Sequence, residues 1–185
     1  MHINYLPSIG YFQKIIAEDH VLLHKADVYS RKSLRNRTYI LGANGKLLLS
    51  IPTTKLSSED RLYENIEISY SENWQKQHWK SIESAYRRSP YFEFYEDHFV
   101  KFYKEQPHKF LWEFNYELTL LLIKLLKLDQ SIHLEEVETI NSNNEYKLLK
   151  PCNYQQVFVN KIPFEENLSI IDLIFNKGPQ SKSYL

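Results

Sequence analysis

Residues 38–51 read Thr-Tyr-Ile-Leu-Gly-Ala-Asn-Gly-Lys-Leu-Leu-Leu-Ser-Ile, and the fold class turns on this stretch. Two β-type runs, 38–41 and 47–51, flank a turn over 42–46. The Asn44-Gly45 pair suits that turn, because tight hairpins need positive φ at their central residues. Pro52 then ends the second arm by removing a ladder donor. Upstream, residues 3–6 form a short extended segment, Pro7 and Gly10 mark a turn, and residues 11–17 can make a short helix. His20-Val21-Leu22-Leu23-His24 follows as a strand, giving a βαβ-like order within the first 25 residues. A hairpin and a crossover unit in one chain predict an α/β fold with a mixed sheet.

Outward from the hairpin, a charged loop over 53–63 leads to a short strand around 66–68, and there the period lengthens. Trp74, His78, Ile82, Ala85 and Tyr86 recur at helical spacing behind Asn73, a capping residue, and before Pro90. Phe92, Tyr95, Phe99, Phe102 and Tyr103 mark a second helix, and residues 111–128 a third. Beyond them, residues 131–137 alternate like a strand, 139–147 read as a polar loop and 154–159 as a last strand. Asn167 and Ser169 precede a short helix over 170–175 that Gly178 and Pro179 close. The expected organisation is one domain over 1–185 with a helical subregion about 73–128.

Composition narrows the partners. The chain has 185 residues, 43% of them hydrophobic, and carries 23 basic against 23 acidic side chains, so no net positive field exists to hold nucleic acid or an anionic membrane. One cysteine, Cys152, excludes an internal disulfide and a Cys-based zinc cluster. No bound metal is expected, and no motif assigns a cofactor. The first residues lack the charged and apolar regions of a secretory signal, and the apolar segment 118–128 is interrupted by Lys124 and Lys127. A cytoplasmic protein without a membrane span is the expectation.

Three segments could carry chemistry. Residues 5–12, Tyr-Leu-Pro-Ser-Ile-Gly-Tyr-Phe, form a strand-to-helix turn, where α/β proteins place ligands and where helix amides can meet a phosphate or carboxylate. Equally, they can be a Pro/Gly turn with packing aromatics. Residues 31–37, Arg-Lys-Ser-Leu-Arg-Asn-Arg, bring four cations and an amide to the start of a strand. Guanidinium forks match phosphate and carboxylate geometry, although such a run can also be a solvated face. His78 places an imidazole on the packing face of its helix, as a general base or as a satisfied core histidine. Glu93, Glu96, Asp97 and His98 lie just beyond it.

These motifs combine into a resemblance. Tyr5-Leu6-Pro7-x2-Gly10-Tyr11-Phe12, then Arg35-Asn36-Arg37, Gly45 and Leu49-Ser50-Ile51-Pro52, then Trp74-x3-His78-x3-Ile82-x3-Tyr86 with Ser89-Pro90-Tyr91-Phe92, resemble the WbqC-like family. The tail, from Tyr154-Gln155-Gln156 through Asn167-Leu168-Ser169-Ile170-Ile171-Asp172 to Asn176-x-Gly178, is similar to the Bacteroides-type version. The resemblance implies a role in synthesis of O-antigen and other surface polysaccharides, with an aminoacyl, acyl or sugar-nucleotide donor as the anionic ligand. It also implies roles: His78 as base, Asp172 as its catalytic partner, Arg35 and Arg37 as anion clamps and Asn36 as orienting donor. Tyr5, Tyr11, Tyr86 and Ser169, within the matching motifs, are further candidate ligand contacts. Relatives usually carry Gln where Asn4 stands, so any role of that Gln does not transfer. The alternative is a non-catalytic binding or regulatory module of a glycan pathway, with oligomeric state left open.

Overall fold

The computed structural model describes residues 1–25, 28–55, 61–104, 108–135 and 146–185. Its elements run α1 (Ile9–Ile16), β1 (His20–His24), β2 (Arg37–Gly42), β3 (Gly45–Ser50), α2 (Trp74–Tyr86), α3 (Phe92–Lys104), α4 (Leu111–Leu125), β4 (Ser131–Glu135) and α5 (Ile170–Lys177), with 3-10 turns at Tyr63–Asn65 and Gly178–Tyr184. Five helices, a parallel pair and an antiparallel hairpin make an α/β fold with both kinds of strand pairing. In the hairpin Arg37 faces Ser50 and Gly42 faces Gly45. Ala43 and Asn44 form the two-residue loop, and Gly45 takes φ +108 with open space around its missing Cβ. A side chain at that φ would be strained, which is why Gly stands there.

The parallel pair joins β1 to β4 in the register His20 to Ser131 through His24 to Glu135. The βαβ-like unit is present around α1, but its first strand is reduced to one parallel bridge between His2 and His24. Residues 3–6 leave the ladder because Tyr5 N–H donates to the Leu34 carbonyl and Leu6 adopts φ +40. The segment 66–68 likewise makes only isolated bridges, Thr53 with Ile68 and Glu67 with Phe110. Residues 154–159 form no strand: Tyr154 and Gln156 turn their side chains inward to Asp172 instead of offering a pleated face. Parts of the expected 53–63 loop, the end of the 131–137 strand and most of the 139–147 loop lie outside the described residues.

The middle of the chain is the three-helix segment its period predicts. Asn73 caps α2 by accepting from Lys76 N–H, and Trp74, His78, Ile82, Ala85 and Tyr86 are its buried face. The aromatic stripe of α3, Phe92, Tyr95, Phe99, Phe102 and Tyr103, is buried throughout. Phe114 of α4 sits at the centre, edge-on to Trp74 and Phe102 and tilted against Tyr5. Each such ring withdrawn from water stabilises the fold by about 1.5–3 kcal/mol. One apolar cluster runs from Ile3 to Leu185, and it holds the starts of α1 and α5 against each other.

Candidate functional site

Helices α1 and α5 begin side by side. Ser8 and Ser169, the residues before each helix, pair across an antiparallel bridge. The first amide of each helix donates to the carbonyl ahead of the other, Ile9 to Leu168 at 3.0 Å and Ile170 to Pro7 at 2.8 Å. Gly10 N–H donates to Asn167 Oδ1 at 2.8 Å. Serine at such a position ordinarily caps the helix with its hydroxyl. Neither does so here. Both hydroxyls are buried without a hydrogen-bond partner among the described residues, as is Nε of Arg37. All three residues line one cleft of about 200 Å³, together with Tyr5, Leu6, Lys46, Lys147 and Asn167.

The electrostatics of that cleft favour an anion. Two helix N-termini direct partial positive charge to it, and Arg37, Lys46 and Lys147 add full charges. Glu166 is the one carboxylate on the described lining, and Lys46 lies 3.5 Å from Glu165 just outside it. Two non-glycine residues of the lining hold left-handed backbone, Leu6 at φ +40 and Asn167 at φ +53. Strain of this kind persists only where neighbours fix it. Thr38 Oγ1 donates to the Leu6 carbonyl at 2.8 Å, and Asn167 Nδ2 donates to the Tyr146 carbonyl at 2.8 Å. The 146–150 wall is in turn tied to α1 by Gln13, whose Oε1 accepts from Leu149 N–H and whose Nε2 donates to the Lys150 carbonyl. Gly10 permits this, since a Cβ there would sit 2.6 Å from the carbonyl oxygens of Tyr146 and Lys147.

Two buried polar groups support the cleft from behind. The Tyr5 hydroxyl lies 2.9 Å from His78 Nδ1 and 2.8 Å from the Tyr103 hydroxyl. The backbone of Ser50 bonds the same imidazole, and burial lowers its pKa from 6.5 to about 4. With the Ser50 carbonyl accepting a ring N–H, the neutral ring carries its proton on Nε2 and accepts from Tyr5 at Nδ1. Such a ring takes up a substrate proton only by opening a bond. Asp172, fully buried in the first turn of α5, accepts from the Tyr154 hydroxyl at 2.5 Å and from Gln156 Nε2 at 3.2 Å. Burial raises its pKa to about 6 despite these donors and the Tyr86 hydroxyl.

Of the residues selected from sequence, Tyr5, Arg37 and Ser169 line the cleft. Tyr11 stands behind its wall, edge-on to Tyr146 at 4.7 Å. Arg35 points into the core, 5.5 Å over the Tyr63 ring and 3.4 Å from His2 Nδ1, and Asn36 Nδ2 donates to the Ile51 carbonyl at 3.0 Å. Tyr86 accepts from Leu41 N–H at 3.2 Å and faces Asp172. Arg35, Asn36, His78, Tyr86 and Asp172 are absent from the described lining. The basic run 31–37 is thus divided, with Arg31 and Lys32 in solvent, Arg35 in the core and Arg37 at the cleft. Lys46, Lys147, Asn167 and the Ser8 hydroxyl were not singled out as contacts by sequence reading. Ser8 lies in the 5–12 turn and Asn167 in the capping stretch before α5, whereas Lys46 and Lys147 carry no sequence signal.

Comparison with known proteins agrees with these motifs. A curated relative, the uncharacterized protein Rv1507c of Mycobacterium tuberculosis, is 26% identical over 107 residues, covering 57% of this chain and 45% of the relative. The chain therefore matches less than half the length of that relative. No solved structure matches. The family model described as "WbqC-like protein family" matches residues 3–155, which takes in the Tyr5–Ser8 turn, the hairpin and all three central helices. The chain belongs to the WbqC-like protein family.

Proposed function

We propose that the protein is a transferase of bacterial surface-polysaccharide synthesis, of the O-antigen kind, that draws an anionic acyl, aminoacyl or sugar-nucleotide donor into the cleft between α1 and α5. One observation carries the reading: two buried hydroxyls and a guanidinium Nε stand without partners among the described residues where two helix N-termini meet. A buried polar group left unsatisfied costs about 1–3 kcal/mol, so a ligand that satisfies three of them has a ready source of affinity. A cleft of about 200 Å³ is smaller than a site for a whole drug-sized ligand, so it takes the compact anionic head of the donor and leaves the rest outside. In this reading Arg37, Lys46, Lys147, Ser8 and Ser169 touch the ligand. His78 and Tyr103 hold Tyr5, and Asp172 holds α5, as positioning residues. The polysaccharide setting rests on family membership.

The alternative, a non-catalytic module for the same kind of ligand, is favoured by a different observation. Both ring nitrogens of His78 are engaged, and Glu166, the one carboxylate on the described lining, is exposed. Thermal-shift measurements with sugar nucleotides, aminoacyl donors and coenzyme A test the binding step. A ligand at about 100 times its Kd adds about 2.7 kcal/mol, which for a chain of this size raises Tm by about 5–10 °C. That shift is expected for at least one donor and is lost in Arg37→Ala; no shift with any of them refutes the transferase reading. Product formation from the bound donor and a sugar acceptor separates the transferase from the module.

A further inference from the structure

A second cavity lies at the opposite end of α5. It has a volume of about 410 Å³ and is walled by the C-terminal end of that helix, the segment 155–161 and the residues following α2. Three cations border it, Arg88, Lys161 and Lys177, and no carboxylate is among its described lining residues. That imbalance stands out in a chain of equal charge, where Lys14, Lys109 and Lys182 each pair with an acid. The side chains of Arg88 and Lys161 pair with none of the described residues. Complementing the negative ends of α2 and α5 accounts for Arg88 and Lys177. It accounts neither for Lys161 nor for what lies between the cations.

The rest of the described lining is Pro90, Val157, Phe158 and four carboxamides, Gln155, Gln156, Asn160 and Asn176. Gln156 and Asn176 are buried and fixed. Gln156 is held by Asp172 and by both backbone groups of Glu165, and Asn176 Nδ2 donates to the Asp172 carbonyl at 2.7 Å, leaving its Oδ1 without a partner among the described residues. A carboxamide donates and accepts at one end, which is what a pair of neighbouring sugar hydroxyls requires. A guanidinium and two ammonium groups match a phosphate. We infer that this cavity is a second binding site, for a phosphorylated sugar, with Arg88, Lys161 and Lys177 on the phosphate and Gln155, Asn160 and Asn176 on the ring hydroxyls, while Gln156, its donors spent on Asp172 and Glu165, fixes the wall. It is independent of the anion cleft and of the transferase reading.

Glucose, galactose and mannose 1-phosphates, the free sugars and inorganic phosphate, titrated into the full chain and followed by amide NMR, test the site. At least one hexose 1-phosphate saturates, shifts amides of residues 155–161 and Asn176, and binds about tenfold or more tightly than its sugar or phosphate alone. The doubly substituted Arg88→Ala, Lys161→Ala protein, altered only at exposed positions, loses about tenfold in affinity, while Arg37→Ala binds as before. Phosphate binding as tightly as every sugar phosphate would reduce the site to a patch for ions and overturn the inference. So would the absence of saturation, or loss in Arg37→Ala with the double variant unaffected.

Discussion

Two buried titrating groups, His78 and Asp172, have opposite shifts, and their opposition is measurable as the pH dependence of folding. His78 falls from 6.5 to about 4 on folding, chiefly through burial. Between those values the unfolded chain holds a proton the folded chain lacks, so stability rises with pH; this contribution is complete above 6.5 and lost as pH falls through 4. Asp172 rises from 3.8 to about 6, again chiefly through burial. There the folded chain holds the extra proton, so the contribution is complete below 3.8 and lost as pH rises through 6. One proton of difference is worth about 1.4 kcal/mol per pH unit, which makes each contribution about 3 kcal/mol over its window. From pH 4 to 6 the two cancel in the native sequence. Asp172→Asn, which mimics the neutral acid, removes the falling limb, and stability then rises by about 3 kcal/mol more than in the parent from pH 4 to 6.5. His78→Asn does the reverse, its stability falling by about 3 kcal/mol relative to the parent from pH 4 to 6. Urea denaturation followed by tryptophan fluorescence at half-unit steps gives both curves. Every other titrating group is common to the three proteins, so the differences in slope isolate these two residues. Variant slopes equal to the parent's would refute the burial of charge-free His78 and protonated Asp172.

Further perturbations address the cleft and its supports. Gly10→Ala forces the 146–147 backbone away from α1 and is expected to destabilise the chain by about 1–3 kcal/mol in urea denaturation, with loss of donor binding. Gly178→Ala meets the Tyr91 ring at 2.4 Å from a φ of +53, so the same assay is expected to show a cost of at least about 1–3 kcal/mol. Phe114→Ala removes the ring that joins Tyr5, Trp74 and Phe102 and should cost about 3–5 kcal/mol. Cys152 is buried, and burial pushes its thiol up to about 11, so a disulfide reagent at pH 8 should label the native protein slowly and the unfolded protein at once.

Local chemistry made parts of this fold legible. The β2–β3 hairpin is written in Asn44-Gly45, the start of α2 in Asn73, the buried stripe of α3 in its five aromatics and the end of α5 in Gly178. What was not legible depends on distant partners. The β1–β4 pairing joins His20 to Ser131, and no local pattern specifies it. Residues 154–159 are a strand-like run, yet Asp172, a residue of another element, draws Tyr154 and Gln156 out of that role. The cleft shows the same division. Tyr5 and Arg37 stood out because of their own motifs, whereas Lys46, Lys147 and Asn167 arrive from three separate segments and have meaning only where they meet.

The meeting of α1 and α5 is tested most directly by titrating inorganic diphosphate into the isotopically labelled protein and following its backbone amides. The Ser8 and Ser169 hydroxyls and Arg37 Nε, without partners among the described residues, call for saturable shifts concentrated at residues 8–10, 37 and 169–170, abolished in Arg37→Ala and in the doubly substituted Ser8→Ala, Ser169→Ala protein. Shifts confined to other surfaces, or identical titrations of the parent and both variants, would contradict an anion site between the two helices.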